Sequence, residues 1–160
     1  MTGGRQTLFH ETALNDAVIT KGAIARVVQL AIYCDGVEAT SFSGDGVILC
    51  TPTGSTAYSL SVGGPVVAPQ CACLVLSPVA PHNLTMRPVV IPSSSDVRLK
   101  VHARHAEISI ATDNETCPIP EGAEFRVRLA SRRFFLAVPH NISFYDTLRK
   151  KMMWGVDIRS

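Results

Sequence analysis

Residues 45–65 read Asp-Gly-Val-Ile-Leu-Cys-Thr-Pro-Thr-Gly-Ser-Thr-Ala-Tyr-Ser-Leu-Ser-Val-Gly-Gly-Pro, a pattern that predicts a strand, a tight turn and a short helix. The apolar run 47–50 is typical of a buried strand. We expect the hydroxyl of Thr53 or Ser55 to cap the helix, because it satisfies N–H groups that the first turn leaves unpaired. A helix N-terminus exposed at a sheet edge attracts phosphate or ribose oxygens. On chemistry alone, the segment is either a nucleotide site or a capped helix that follows a core strand.

Short strands separated by turn residues dominate the chain on both sides of this segment. The pattern predicts strands over residues 13–19, 26–33, 37–42, 46–51, 73–79, 87–91, 97–103, 107–112, 125–129 and 134–138. Ser143 is predicted to cap an amphipathic helix that ends near Trp154-Gly155. We therefore expect a mainly β fold, a two-layer β-sandwich of about nine to ten short strands, with one short helix after the Asp45 strand and a C-terminal helix.

The composition restricts the class of protein. With 160 residues, 46% of them hydrophobic and 18% charged, the chain predicts one domain with a buried core. A net charge of +2 is too balanced to favour nucleic acid as a partner, and no apolar run approaches the roughly 20 residues of a membrane helix. Five cysteines without a Cys-x-x-Cys pair indicate a reduced, cytoplasmic chain. Because Cys71-Ala-Cys73 has no His or Cys partners at zinc spacing, we expect structural thiols and no metal site.

The string Thr53-Gly-Ser-Thr-Ala-Tyr-Ser-Leu-Ser61, followed by Gly63-Gly64-Pro65, resembles the signature of NAD kinases. These enzymes phosphorylate the 2′-hydroxyl of the adenosine ribose of NAD to make NADP. The resemblance extends from about residue 13 to residue 155. Further elements that resemble the family are Leu14-Asn15-Asp16 (with Asp replacing the family's Glu), Asp45-Gly46, residues 77–84 with Arg87-Pro88, and Leu148–Lys151 with Trp154-Gly155.

The resemblance implies a set of dinucleotide-binding residues. They are Asn15, Asp16, Asp45, Thr56, Ala57, Tyr58, Ser61 and Ala80. By their chemistry, the Asn15 amide can pair with an adenine edge, the Asp16 carboxylate can accept from ribose hydroxyls, and the Tyr58 ring can stack on a base. Asp45 is expected to hold a ribose or the amide end of NAD, from the same or a neighbouring subunit. The alternative is that the acidic residues and Asn15 belong to turns and that Ala57 and Tyr58 form the buried side of a helix.

The family's Gly-Gly-Asp-Gly-Thr loop, which is thought to cradle the phosphoryl donor and to provide the catalytic aspartate, does not occur in this sequence. The resemblance therefore implies a NAD-binding β-sandwich domain over residues 1–142. Residues 143–160 are expected to form a helix and tail that pack on an N-terminal α/β domain. The full enzyme would use ATP or another phosphoryl donor with a divalent metal such as magnesium. This chain alone is expected to be inactive and to form a homodimer or homotetramer.

The sequence departs from the family pattern at two positions. Ser43 stands where many members have an arginine, and Asp113-Asn114 replaces a late Asp-Gly, in which Asn tolerates positive φ. His82 is predicted to be a structural, hydrogen-bonded histidine, since no nucleophile signature accompanies it.

Two other functions are alternatives to an NAD kinase domain. The first alternative is a non-catalytic dinucleotide-binding or oligomerisation β module. The second is a lipid kinase, against which the Thr-Gly-Ser-Thr-Ala-Tyr string argues.

Overall fold

The computed structural model describes residues 7, 9–22, 27–103, 107–113, 115–140 and 142–155. Within these residues the fold is mainly β, as predicted, with ten strands and two α-helices. The strands are β1 (Asp16–Lys21), β2 (Val28–Cys34), β3 (Val37–Gly44), β4 (Gly46–Cys50), β5 (Cys73–Val79), β6 (Val89–Pro92), β7 (Val97–His102), β8 (Ile108–Thr112), β9 (Glu115–Ile119) and β10 (Glu124–Val127). The helices are α1 (Tyr58–Ser61), preceded by a 3₁₀ turn over Thr53–Thr56, and α2 (Phe144–Met152).

The strands form two antiparallel sheets with an apolar core between them. One sheet has six strands in the order β6-β5-β4-β1-β8-β9, and the other has four in the order β10-β7-β2-β3. Alternate side chains of both sheets, such as Ile19 and Leu49 from the first and Leu30 and Leu99 from the second, are almost fully buried in this core. The period-2 alternation seen in the sequence thus becomes the inner and outer faces of a sandwich.

The outer face of the six-stranded sheet carries a second apolar cluster. It contains Val18, Ile48, Cys50, Val67, Val75 and Val79. Because β4 contributes to both clusters, each of its five residues is buried, which explains why the run 47–50 is continuously apolar rather than alternating. The connection between β4 and β5, which includes the 3₁₀ turn and α1, contributes Val67 to this second cluster.

Two predictions about strands were wrong. The alternating residues Phe134, Leu136 and Val138 do not form a strand; their side chains are exposed, and no strand pairs with them in the described part of the chain. Conversely, β9 was not predicted, because it contains a proline and few buried residues. The remaining strands agree with prediction to within a few residues, although Arg26 at the start of the predicted second strand lies outside the described residues.

The C-terminal helix begins as predicted. Ser143 is its N-cap: the Asp146 N–H donates to the Ser143 hydroxyl oxygen, and the Ser143 N–H donates to the Asp146 carboxylate, which makes a capping box. The helix ends at Met152, its C-cap Met153 has left-handed φ and ψ, and Gly155 also has a positive φ. The predicted tail beyond residue 155 lies outside the described residues. Leu148 is its one buried residue, and the side chains of Tyr145 and Trp154 are more than half exposed.

Candidate functional site

An open cavity of about 410 Å³ lies on the outer face of the six-stranded sheet. Its lining combines the start of β1, the start of α1 and the end of β8. The lining residues are Asn15, Asp16, Val18, Thr20, Ala57, Tyr58, Ala111 and Asp113. Four of the eight predicted site residues, from two segments about 40 positions apart in sequence, therefore meet around one cavity.

Strand β1 provides one wall of this cavity. Asp16, Val18 and Thr20 are alternate residues and therefore share one face of the strand. Asp16 is only 8% exposed as a residue, its carboxylate oxygens still reach solvent, and no described residue donates a hydrogen bond to them. Burial and, to a smaller extent, the nearby Asp113 carboxylate raise the pKa of Asp16 above its usual value. An acceptor that is poorly solvated in this way gains by binding hydroxyl or N–H donors of a ligand.

The carboxylate of Asp113 positions the start of β1. Its two oxygens accept hydrogen bonds from the backbone N–H groups of Leu14 (2.6 Å), Asn15 (2.9 Å) and Asp16 (3.3 Å). Asp113 itself has a φ of 40°, in the left-handed region. Sequence reasoning noted this residue only as part of a turn, and its partner Asn114 lies outside the described residues. The contact spans almost 100 positions, so no local signal could have identified it.

The 3₁₀ turn and α1 form the other wall of the cavity, and hydrogen bonds join this wall to residues 14 and 15 at the start of β1. The Thr51 hydroxyl donates to the Leu14 carbonyl (2.7 Å), and the Thr51 N–H donates to the Asn15 carbonyl (2.8 Å). A Cβ atom on Gly54 would lie 2.2 Å from the Asn15 carbonyl oxygen. Only glycine permits so close an approach between the 3₁₀ turn and Asn15.

The prediction that a hydroxyl caps the short helix was wrong. The residue that precedes α1 is Ala57, and no side chain caps the helix there. The Ser55 hydroxyl instead donates to the Pro52 carbonyl (2.6 Å) and accepts from the Val67 N–H (3.0 Å). Since α1 is a single turn, it has too little aligned backbone to attract an anion through a helix dipole.

Ser59, which follows Tyr58 in α1, is fully buried. Its hydroxyl hydrogen-bonds the hydroxyl of Ser77 in β5 (2.9 Å), so these serines attach the short helix to the sheet. Thr56 and Ser61 lie on the exposed surface of the same segment, and neither lines the cavity. The Tyr58 ring is 44% exposed at the cavity rim, where a flat ligand group could stack on it.

Asp45 and Ala80 lie together and do not line this cavity, although the lining residue Thr20 is opposite Gly46, the residue after Asp45. The Asp45 N–H donates to the Val79 carbonyl (2.9 Å), directly before Ala80. In the register of the sheet Asp16 is opposite Cys50 and Thr20 is opposite Gly46. Asp45 is therefore about 17 Å along the strand from the level of Asp16, at the usual rise per residue. Six of the eight predicted residues thus form two groups, four around the cavity and two at the other end of β4, while Thr56 and Ser61 belong to neither.

A lysine that the sequence analysis did not consider holds Asp45. The Lys21 ammonium lies 2.6 Å from the Asp45 carboxylate, and the Lys21 N–H donates to the Asp45 carbonyl (3.0 Å). Both side chains remain partly exposed, so the pair contributes orientation more than stability. Near this end of the sheet, the His82 N–H donates to the Ser43 carbonyl (2.9 Å), while the His82 side chain is exposed and makes no hydrogen bond with a described residue.

Comparison with known proteins assigns the fold to a family. Residues 14–139 match the family model for the ATP-NAD kinase C-terminal domain. The chain belongs to this family. The match includes every residue of both groups described above. No helix in the described ranges is long and apolar enough to cross a membrane.

The relatives of this NAD kinase C-terminal domain are NAD kinases. It is 37% identical to the NAD kinase of Geobacter metallireducens over 153 residues, which are 95% of this chain and 54% of that protein. It is 42% identical to the NAD kinase of Yersinia pestis over 145 residues, 90% of this chain and 50% of that protein. The chain therefore spans about half the length of the curated relatives it matches.

Two solved structures have the same fold. Yeast NADH kinase complexed with NADH superposes with a TM-score of 0.79 and 28% identity, over 92% of this chain and 46% of that one. An NAD kinase from Archaeoglobus fulgidus in complex with ATP superposes with a TM-score of 0.64 and 30% identity, over 74% of this chain and 46% of that one.

Proposed function

We propose that this chain is the NAD-binding and oligomerisation part of an NAD kinase, which transfers a phosphoryl group to the 2′-hydroxyl of the adenosine ribose of NAD to make NADP. The observation that carries the proposal is the cavity in which Asn15 and Asp16 meet Ala57 and Tyr58 of the signature segment. Membership of the family and similarity to a kinase solved with NADH support it.

The groups around the cavity suit the adenosine half of a dinucleotide. The Asn15 amide offers a donor and an acceptor to an adenine edge, and the Asp16 carboxylate is an unpaired acceptor for ribose hydroxyls. The exposed Tyr58 ring provides a stacking face at the rim. Thr56 and Ser61, on the exposed surface nearby, would contact the parts of the ligand that leave the cavity.

The second group, Asp45 and Ala80, fits a different part of the binding arrangement. Because it lies about 17 Å along β4 from the first group, we infer that it contacts a dinucleotide bound mainly by a neighbouring copy of the chain. On this proposal, a homodimer or homotetramer would be needed to complete each binding site. The Lys21 ion pair would keep the Asp45 carboxylate oriented toward that ligand.

Binding without turnover is the function we propose for the 160-residue chain by itself. Phosphoryl transfer depends on cations that stabilise charge on the phosphoryl group. The lining residues of the described cavity include carboxylates, hydroxyls and an amide, but no lysine or arginine. We propose that the donor (ATP or another phosphate compound), its divalent metal and the catalytic aspartate act from an N-terminal α/β domain, on which residues 143–160 pack. The proposed location is the cytoplasm.

Calorimetric titration with NAD tests the binding proposal directly. We expect saturable binding by the purified chain, and we expect Tyr58→Ala and Asp45→Asn each to weaken it by about 1–3 kcal/mol, roughly 5- to 150-fold, through loss of a stacked ring or a charged hydrogen bond. Tyr145→Ala and Glu121→Gln are matched controls, since both residues are exposed and neither lines the cavity. Equal affinity in all five proteins would remove Tyr58 and Asp45 from the site.

An assay for NADP with NAD, ATP and magnesium separates binding from catalysis. We expect no NADP from the chain alone, even at NAD concentrations that saturate it. Measurable turnover would contradict the division of roles and would indicate that Asp16 or Asp45 activates the ribose hydroxyl.

A further inference from the structure

Three cysteines that lie in or next to neighbouring strands of the six-stranded sheet, Cys50, Cys71 and Cys73, differ in their exposure to solvent. Cys71 is exposed, Cys73 is partly buried at the first position of β5, and Cys50 in β4 is fully buried. Cys50 and Cys73 both belong to the apolar cluster on the outer face of the six-stranded sheet. Cys50 is inaccessible to solutes, since only 1% of its surface is exposed.

The backbone brings Cys71 and Cys73 toward disulfide distance. Residues two apart are about 6.6–7.2 Å apart in a fully extended chain. Here the Cys73 N–H donates to the Cys71 carbonyl (3.0 Å), which closes a three-residue turn and shortens this separation. Disulfides form across Cα separations of about 4.4–6.8 Å. The turn therefore brings the two Cα atoms toward the range in which a disulfide can form.

The two thiols differ in a way that assigns the order of events. Cys71 is open to solvent in the turn before β5, and its N–H donates to the Ala68 carbonyl (3.0 Å). Burial, and to a smaller extent the neighbouring Cys71, raise the pKa of the Cys73 thiol. Because the Cys71 side chain is open to solutes and Cys73 packs on the apolar cluster, Cys71 meets the oxidant first and Cys73 resolves the product.

We propose that Cys71 and Cys73 form a peroxide-sensitive thiol pair that closes to a reversible intrachain disulfide. The Cys71 thiolate attacks one oxygen of hydrogen peroxide, the O–O bond breaks, and Cys71 sulfenic acid and hydroxide form. The Cys73 sulfur then attacks the sulfenic sulfur, the S–O bond breaks, and the departing hydroxide takes the Cys73 proton to become water. Two thiols lose two electrons in total, and one peroxide is reduced to two waters.

The position of the pair places this chemistry beside the proposed binding segment. Val67, whose N–H donates to the Ser55 hydroxyl oxygen, lies four residues before Cys71 in the same connection. A ring closed at 71–73 fixes the end of that connection where it enters β5. The inference itself rests on the thiols and the turn, and it stands whether or not the chain binds NAD.

Thiol counting after peroxide treatment tests the pair. The purified chain is treated with hydrogen peroxide, denatured, alkylated with N-ethylmaleimide and measured by intact mass and peptide mapping. Five cysteines are alkylated before treatment, and we expect the count to fall by two afterwards and to recover with dithiothreitol. The unmodified pair should map to the peptide that contains Cys71 and Cys73, with a mass lower by two hydrogens.

Cys→Ser variants test which cysteine reacts with peroxide and which one completes the disulfide. Cys73→Ser should stop at the sulfenic acid, which dimedone labels at Cys71, and Cys71→Ser should abolish both labelling and disulfide formation. Cys34→Ser, in β2 of the other sheet, should still close the pair. The proposal is overturned if the wild-type chain keeps five alkylatable thiols, if the disulfide maps to Cys50 or joins two chains, or if Cys73→Ser loses the same number of thiols as the wild type.

Discussion

The charged form of Asp16 destabilises the fold but leaves an acceptor available to a ligand. The residue is largely buried and lies near the Asp113 carboxylate, and its own carboxylate, which still reaches solvent, has no hydrogen-bond partner among the described residues. The charged form is therefore disfavoured in the folded chain, and the raised pKa of Asp16 measures that cost. Proteins retain such groups where a ligand supplies the missing partners.

At the same residue scale, we predict that Asp16→Asn raises the melting temperature at pH 7 while it weakens NAD binding. A raised folded-state pKa means that the charged Asp16 destabilises the fold above that pKa, and that this cost disappears as pH falls toward 3.8, the ordinary value. The gain in melting temperature should therefore be largest at neutral pH and shrink near pH 4. Thermal denaturation at both pH values and calorimetry with NAD measure the two effects.

Asp96→Asn is a control that should change the melting temperature in the opposite direction to Asp16→Asn. The hydrogen bonds between Asp96 and Arg126 (2.6 and 2.9 Å) lower the pKa of the Asp96 carboxyl, so its charge stabilises the fold above the ordinary value and that stabilisation is lost as pH falls. Asp96→Asn should lower the melting temperature at pH 7 and still at pH 4, with the effect disappearing only as pH falls below 3.8, the ordinary value, and with no effect on NAD affinity. An Asp16→Asn gain that does not change with pH would contradict the assignment of the cost to charge.

At the scale of elements, the 3₁₀ turn and β1 act as one unit. Backbone and hydroxyl hydrogen bonds join Thr51 to residues 14 and 15, and Gly54 packs directly on the Asn15 carbonyl. The signature segment therefore shapes the cavity largely through its backbone. Its small residues allow two segments to approach, and this approach positions Asn15 opposite Tyr58.

We predict that Gly54→Ala separates these elements. The new Cβ would lie 2.2 Å from the Asn15 carbonyl oxygen, so the turn must move, at a cost of about 1–3 kcal/mol in the free energy of unfolding and at least tenfold in NAD affinity. Gly122→Ala is the matched control: its φ of +77° strains alanine by about 1–2 kcal/mol, but it lies in the turn before β10 with open space around it. Urea denaturation and calorimetry should show similar instability in both variants but weaker binding only in Gly54→Ala.

The same elements show how far sequence reasoning reached. Alternation predicted strands such as β7 and β8 because one face of each is buried in the sandwich. The same alternation at 134–138 has no partner strand in the described structure, and pattern alone cannot supply one. The site residues Asn15 and Tyr58 came from the motif, whereas Asp113 and Lys21 act through contacts distant in sequence and so gave no local signal.

For the whole molecule, the separation of the two predicted groups is the feature with the largest functional consequence. Asn15, Asp16, Ala57 and Tyr58 line one cavity, while Asp45 and Ala80 lie beyond the opposite end of β4. The sheet between them is a rigid, buried layer, so the groups cannot close on each other within one chain. In the oligomer that we propose, the two groups would meet without such movement, because each chain would supply the first group of one site and the second group of another.

This arrangement predicts complementation between defective chains. Tyr58→Ala and Asp45→Asn should each reduce NAD binding. When equal amounts are mixed and allowed to exchange subunits, half of the resulting dimers contain one copy of each, and one of their two sites has both groups intact. About a quarter of all sites should then regain wild-type affinity, which calorimetry can detect as a tight class of sites absent from either variant alone.

A control mixture of Tyr58→Ala with the double variant Tyr58→Ala/Asp45→Asn contains no intact site. If the tight class does not return despite verified exchange, Asp45 serves the dinucleotide of its own chain or none, and the site is complete within one subunit.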